Sequence, residues 1–296
     1  MRNIITYRVQ RKIFIGTVII MLYLLFGWLR LYPIAQTFVL SLREFDLIGL
    51  KDRFIGLQNY IQLFKDESFI TAAKNTFLIA LITVPASLGI GLTLALVYNA
   101  KIKFSSIFQL IYFIPVIMPT VAVALIWRWM YDPEFGLLNY ILTCIGLRRI
   151  PWLVDPDIAL YSVMILWIWK WVGYYAILWL VGLQNIPRIY NEAAQVDGAS
   201  SWQVFRFITL PLLRPIALFL IIICTSWAFK IFVPVYVLTI GSQGAPGRAV
   251  RVIVYDMYEN FFIYFKVGYA TAEAFILFSI VALLTLIQLK LLKVKG

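Results

Sequence analysis

Six stretches of roughly 20 or more predominantly apolar residues, near 13–40, 75–98, 107–130, 158–183, 214–240 and 267–290, constrain this chain more than anything else in it. Each is long enough for a helix to cross a hydrocarbon layer about 30 Å thick. Backbone groups in lipid must be satisfied within the segment or by a closed barrel, and these runs lack the period-two alternation of barrel strands. The expected fold is therefore all-α: a polytopic membrane protein with six transmembrane helices, forming a single domain over 1–296. Composition agrees, with 62% apolar and only 14% charged residues.

In a soluble protein a net charge of +12 would point to nucleic acid; in this chain it is read by membrane side. Segments 1–12, 99–106, 184–213 and 291–296, with Arg214 and Lys290, carry twelve Lys or Arg against two acids, Glu192 and Asp197. The opposite loops carry ten basic residues and eleven acids. Positive-inside counting then places both termini in the cytoplasm. Arg2, Arg8, Arg11 and Lys12 precede an apolar run too long for a signal peptide, and Leu31-Tyr32-Pro33 offers no small-residue cleavage site. Cys144 falls in an outer loop and Cys224 within a span, so two unpaired thiols are expected.

The segment 184–213 is the most informative polar interval. A short helix from Ile189 to Val196, Gly198 at the position after its cap, and Ser200 with Gln203 as a capping box predict a helix-turn-helix whose second helix Pro211 disrupts. A side chain at Gly198 is expected to obstruct the turn. With Pro115 and Pro119 four apart, the third span should kink and free carbonyls one turn apart. That kink serves either to line a cavity or simply to pack the bundle.

Chemistry is bounded by absences. The sequence has no Gly-x-x-x-x-Gly-Lys-Ser/Thr loop and no histidine, and Glu273 is the sole acid placed within a span. An enzyme, a metal site or a proton-coupled carrier loses its usual residues, so no cofactor is expected on this chain. Arg30 and Arg128 sit near span ends, where snorkelling suffices. Lys170 and Lys230 are deeper, at about 2.5–3.5 kcal/mol each on insertion scales, and such residues face a bundle interior or a wet cavity. Trp167, Lys170, Trp171 and Tyr174 share one helix face, and Trp227, Lys230 and Ile231 repeat the spacing. Aromatic faces beside donors suit sugar rings; the alternative is an interfacial aromatic belt with lysines snorkelling outward.

These residues carry a resemblance. Glu192, Ala193 and Ala194, then Asp197, Gly198 and Ala199, then Phe205 and Ile208 to Pro211, resemble the cytoplasmic signature of permease subunits in binding-protein-dependent ABC importers. Gly56, Leu57, Asn59 and Tyr60, the pair Asn75-Thr76, the run Tyr131–Gly136 with Asn139 and Trp152, and the start Gly268-Tyr269-Ala270 are similar to the sugar-type members, including maltose, glycerol-3-phosphate and oligosaccharide permeases. On physical grounds Phe54–Tyr60 and its neighbours should form an amphipathic surface helix. The resemblance implies a second permease, two ATP-binding subunits that hold ATP and Mg, an extracytoplasmic binding protein, and location in the cytoplasmic membrane. It also implies ATPase coupling through Glu192, Ala193, Ala194, Asp197, Gly198, Ala199, Phe205, Leu210 and Pro211. By ungapped counting, Lys170, Trp171, Tyr174, Cys224, Trp227, Ala228, Lys230 and Ile231 fall where the larger maltose-type subunit lines its sugar site. Trp and Lys replace small and amide side chains there, which puts maltose itself in doubt and leaves an acidic sugar or glycerol phosphate open. A secondary carrier or a membrane-bound glycan or lipid enzyme are the rival classes.

Overall fold

A computed structural model describes residues 2–46, 48, 51–100, 105–239 and 249–291. The expected loop 99–106, the end of the fifth span at 240 and the tail 291–296 lie wholly or partly outside the described residues. Two compact units partition the chain, one of residues 1–63 with 257–276, the other of 64–256 with 277–296.

In the first unit α1 (Arg2–Phe26) runs through a π turn, Gly27–Leu31, into α2 (Tyr32–Ser41). Pro33 explains the wide turn. Its ring crowds the carbonyl four residues back, and the Tyr32 N–H reaches five residues back to Gly27 O instead. The apolar stretch Ile13–Ser41 is long enough to span a membrane, and its apolar window holds no buried residue. An antiparallel hairpin follows, β1 (Arg43–Asp46) with β2 (Lys51–Phe54), tied by Arg43 and Asp52 at 2.8 Å. The surface helix expected from Phe54 therefore begins later. Phe54 closes the strand, Gly56 turns the chain at φ +60, and α3 covers Gln58–Leu63 only. Asn59 is buried because its Nδ2 donates to Ser41 O (2.8 Å) and Arg43 O (3.0 Å), satisfying carbonyls at and just beyond the end of α2. Gly268 is required by contact: a Cβ there would lie 2.0 Å from Arg43 O.

The second unit is built on α4 (Glu67–Asn99) and α8 (Pro156–Gln184), each opened by an aspartate cap, Asp66 and Asp155. Ile79 shares one buried cluster with Val163 and Trp167, while Leu88, Ala95 and Tyr98 share another with Tyr175, Trp179 and Leu183. The two helices thus run parallel. Gly91 permits their approach, since its Cβ would meet Tyr175 Cβ at 3.1 Å, and the Trp179 indole donates to Leu88 O at 3.1 Å. Between them in sequence come α5 (Ser105–Ile117), α6 (Thr120–Met130) and α7 (Leu137–Cys144). The kink expected in the third span is a full break, bent by 101° at Met118 and Pro119. Asn139, 1% exposed, organises the loop beyond it. It donates to Ile150 O and Pro133 O and accepts from Ile150 N and the Trp152 indole.

After α8 come α9 (Arg188–Val196), α10 (Ser201–Val204), a second π turn at Phe205–Thr209, α11 (Leu210–Leu212), α12 (Arg214–Phe229), α13 (Val233–Thr239), α14 (Ile253–Tyr258) and α15 (Val267–Leu291). Asn75 Nδ2 donates to Ala249 O and Arg251 O, and Thr76 Oγ1 accepts from Ile253 N, so the Asn-Thr pair of the sequence anchors the segment leading into α14. Five helices or joined helices are long and apolar enough to span a membrane, or six with the bent pair α5–α6, as the sequence predicts. Cys144 is exposed and Cys224 buried, both unpaired.

Candidate functional site

The helix-turn-helix over Arg188–Leu212 closes on its own backbone. Gly198 N–H donates to Gln195 O (3.1 Å) and Ala199 N–H to Ala194 O (2.9 Å), which is the complete Schellman pair at the end of α9. Gly198 sits at φ +77 with nothing within 4 Å of a would-be Cβ. The cost of a side chain there is backbone strain, not the obstruction expected from sequence. Ser200 and Gln203 then form the capping box reciprocally, at 2.7 and 3.4 Å.

The disruption expected at Pro211 takes the form of a π turn and does not stop the helix. Leu210 N–H reaches back five residues to Phe205 O, and this π turn absorbs the proline as the one before Pro33 does. Of the coupling candidates, Ala194 is buried, Ala199, Phe205 and Pro211 half-buried, and Glu192, Ala193, Asp197, Gly198 and Leu210 exposed. Ala194, Asp197, Gly198 and Ala199 line one side of a recess of about 380 Å³, opposite Gln203 and Phe207. Ile189, Val196, Trp202 and Phe207 are each more than 60% exposed, an apolar surface that few solvated loops carry.

The second locus is aromatic. Trp227 of α12 meets two rings of α8, Trp171 at 4.5 Å and Tyr174 at 5.3 Å between centroids. Trp167 adds to Trp171 at 5.7 Å. Trp171, Tyr174 and Trp227 are half-buried, and the buried Trp171 indole N–H has no hydrogen-bond partner among the described residues. Tyr175, not singled out from sequence, joins at 6.4 Å from Trp227; the repeated aromatics of α8 were the signal that included it.

The other candidates divide between the packed interior, against which Trp171 and Trp227 rest, and the surface. Cys224, Ala228 and Ile231 are at most 1% exposed and belong to the packed interior. Lys230 is exposed, because α12 ends at Phe229 and the chain leaves the helical stripe there. Lys170 is 1% exposed, and its Nζ donates to Pro115 O (3.0 Å) and Met118 O (2.9 Å) at the break between α5 and α6. The sequence foresaw carbonyls freed by the two prolines and a costly lysine on α8, but not that one answers the other.

What this geometry offers is a buried helical frame, a half-open aromatic patch and an exposed capped turn on the far side of α8's last residue. Residues 87–293 match the family described as binding-protein-dependent transport system inner membrane component. The probable ABC transporter permease protein YurN of Bacillus subtilis is 36% identical, covering 92% of this chain and 93% of that protein. The trehalose/maltose transport system permease protein MalF of Thermococcus litoralis is 32% identical over 87% of this chain and 86% of its own length. Among solved structures, the bacterial alginate ABC transporter in complex with alginate pentasaccharide-bound periplasmic protein contains a chain of TM-score 0.82 and 23% identity, covering 95% and 94% of the two chains. These relatives are membrane permeases and not enzymes, and by identity, coverage and span pattern the chain belongs to the family of binding-protein-dependent transport system inner membrane components.

Proposed function

We propose that the chain is one of two pore subunits of an importer that carries a sugar or oligosaccharide into the cytoplasm, driven by ATP hydrolysed on partner subunits. The observation that carries the reading is the pairing, in one member of a transport family, of a self-capped exposed turn with a half-open aromatic patch. Sugars stack their C–H faces on Trp and Tyr, and Trp171, Tyr174 and Trp227 offer such faces together. The relatives named for trehalose, maltose and alginate support a carbohydrate. Lys230, as the exposed ammonium near this patch in sequence, favours a second reading in which the sugar is acidic or phosphorylated.

In this account the helix-turn-helix seats in one of two ATP-binding subunits, which hold ATP and Mg, and Glu192, Gly198 and their neighbours lie on that contact. The turn and both termini are then cytoplasmic. ATP-driven closure moves the turn as a rigid body, and a binding protein delivers sugar to the opposite mouth. Swinging a two-state pore from 1:99 to 99:1 needs about 5.5 kcal/mol of differential free energy. A turn held by four local hydrogen bonds can transmit that where a slack loop would not. Reconstitution of the chain with a second permease, two ATPase subunits and a binding protein tests the proposal. Sugar-loaded binding protein should stimulate ATP hydrolysis, and the chain alone should bind no nucleotide. Stoichiometric ATP binding by the isolated chain would overturn the reading. Lys230→Met separates neutral from acidic sugar: selective loss of acidic-sugar uptake supports charge pairing, and equal uptake of both removes it.

A further inference from the structure

We propose that Lys170 is a positioning residue: its ammonium stands in for the amide N–H that Pro119 lacks, and so fixes the break of the third span against α8 beside the aromatic patch. In an uninterrupted helix Pro115 O would accept from the N–H of residue 119, four positions on. That residue is proline and has no N–H. Met118 O would look to residue 122, but α6 begins at Thr120 after a 101° bend and its first bond serves Pro119 O through Val123 N–H. Two carbonyls are thus left without amides in an apolar setting, where an unmet carbonyl is costly.

Lys170 Nζ meets both, at 3.0 and 2.9 Å, from a helix more than 50 residues further along the chain. The negative end of the α5 dipole favours a cation there. Among the described residues Lys170 makes no ion pair, so the carbonyl pair and the Trp171 ring, 5.1 Å away at its centroid, are what hold the charge. One turn further along α8, Gly173 brings the backbones together: a Cβ there would lie 2.0 Å from Tyr112 O. Ammonium and glycine therefore clamp α5 to α8 at two successive points. Because Trp171 follows Lys170 directly and packs against Trp227 at a tilt, the clamp also sets where the patch presents its rings. Lys170 acts through the backbone it holds, and no ligand contact is assigned to it.

The test uses the full chain, purified in detergent with the subunits that accompany it, and follows its half-life at a fixed elevated temperature. It rests on the sugar reading only for a second, transport readout, so failure of either is distinguishable. Lys170→Met should shorten the half-life by ~10-fold or more, equivalent to about 1.4 kcal/mol. Lys170→Arg, which can still donate to two carbonyls, should recover most of it. In a Pro119→Ala background, where residue 119 regains its N–H, Lys170→Met should cost only about 3-fold, because one of the two orphaned acceptors, Pro115 O, then has an amide donor and Met118 O alone is left. Should Lys170→Met alone yield no folded protein, recovery of folded protein in the Pro119→Ala background supports the proposal and continued failure overturns it. An equal loss in both backgrounds likewise overturns it. For transport, Lys170→Arg should change uptake of neutral and acidic sugars alike. A loss confined to acidic sugars would place the ammonium on the ligand and sink the positioning role.

Discussion

Two interruptions of the helical path, the break at Met118–Pro119 and the turn at Asp197–Ser200, solve the same problem by opposite means. Each leaves helix-end groups without intrahelical partners. At the turn the partners are local: Gly198 and Ala199 amides cap α9, and Ser200 and Gln203 cap α10. At the break the partner is an ammonium from α8, with Gly173 enforcing contact nearby. The first device leaves its outer surface free to meet another protein, whereas the second spends its polar group inward and ties two spans together. On the proposed reading, the site that transmits motion is self-contained and the site that holds still is cross-linked.

That contrast can be broken most severely at Gly173. Gly173→Ala pushes a methyl into the Tyr112 carbonyl between two packed backbones, and overpacking of this kind costs about 1–3 kcal/mol or more. Size-exclusion profiles and thermal stability of the detergent-solubilised chain should both deteriorate; an unchanged profile would show that α5 and α8 are not clamped.

Ser200→Ala is expected to act on the other side of the comparison and remain there. Loss of an N-cap is worth about 0.5–2 kcal/mol, so hydrogen exchange should quicken over Ser201–Val204 and leave α8 protected as before. Quickened exchange within α8 would mean that the turn is not self-contained.

The smallest effect is expected at the aromatic patch. Trp227→Ala removes one ring of the patch, and an aromatic contact to the sugar of about 0.5–1.5 kcal/mol lost in this way would raise the apparent KM for uptake by roughly 2- to 12-fold. Unaltered uptake would move the sugar site away from these rings.

How far the chain could be read from its sequence follows the same division. Gly198, Ser200 and Gln203 are neighbours, so their motifs are visible as written, and the six-span reading needed only run lengths. Lys170 and Pro115 stand 55 residues apart, and no local pattern joins them. Helical spacing grouped Trp227, Lys230 and Ile231, but it holds only within a helix. α12 stops at Phe229, which sends Lys230 outward and buries Ile231. Strands of four residues in β1 and β2 are too short for alternation to declare itself, so the sequence reading carries no hairpin and assigns only its last residue, Phe54, to a surface helix. The π turns before Pro33 and Pro211 show the form a proline's disruption takes: a turn widened by one residue accommodates its ring.

The central claim is that the Arg188–Leu212 turn carries the coupling signal and that its geometry depends on Gly198. Sugar-stimulated ATP hydrolysis by the reconstituted complex, compared between Gly198→Asn and Gly198→Val, tests this most directly, since asparagine tolerates the left-handed backbone and a β-branched residue does not. The account predicts assembled complexes for both, with stimulation largely kept by the asparagine variant and lost by the valine variant. Normal stimulation in a fully assembled valine variant would contradict it.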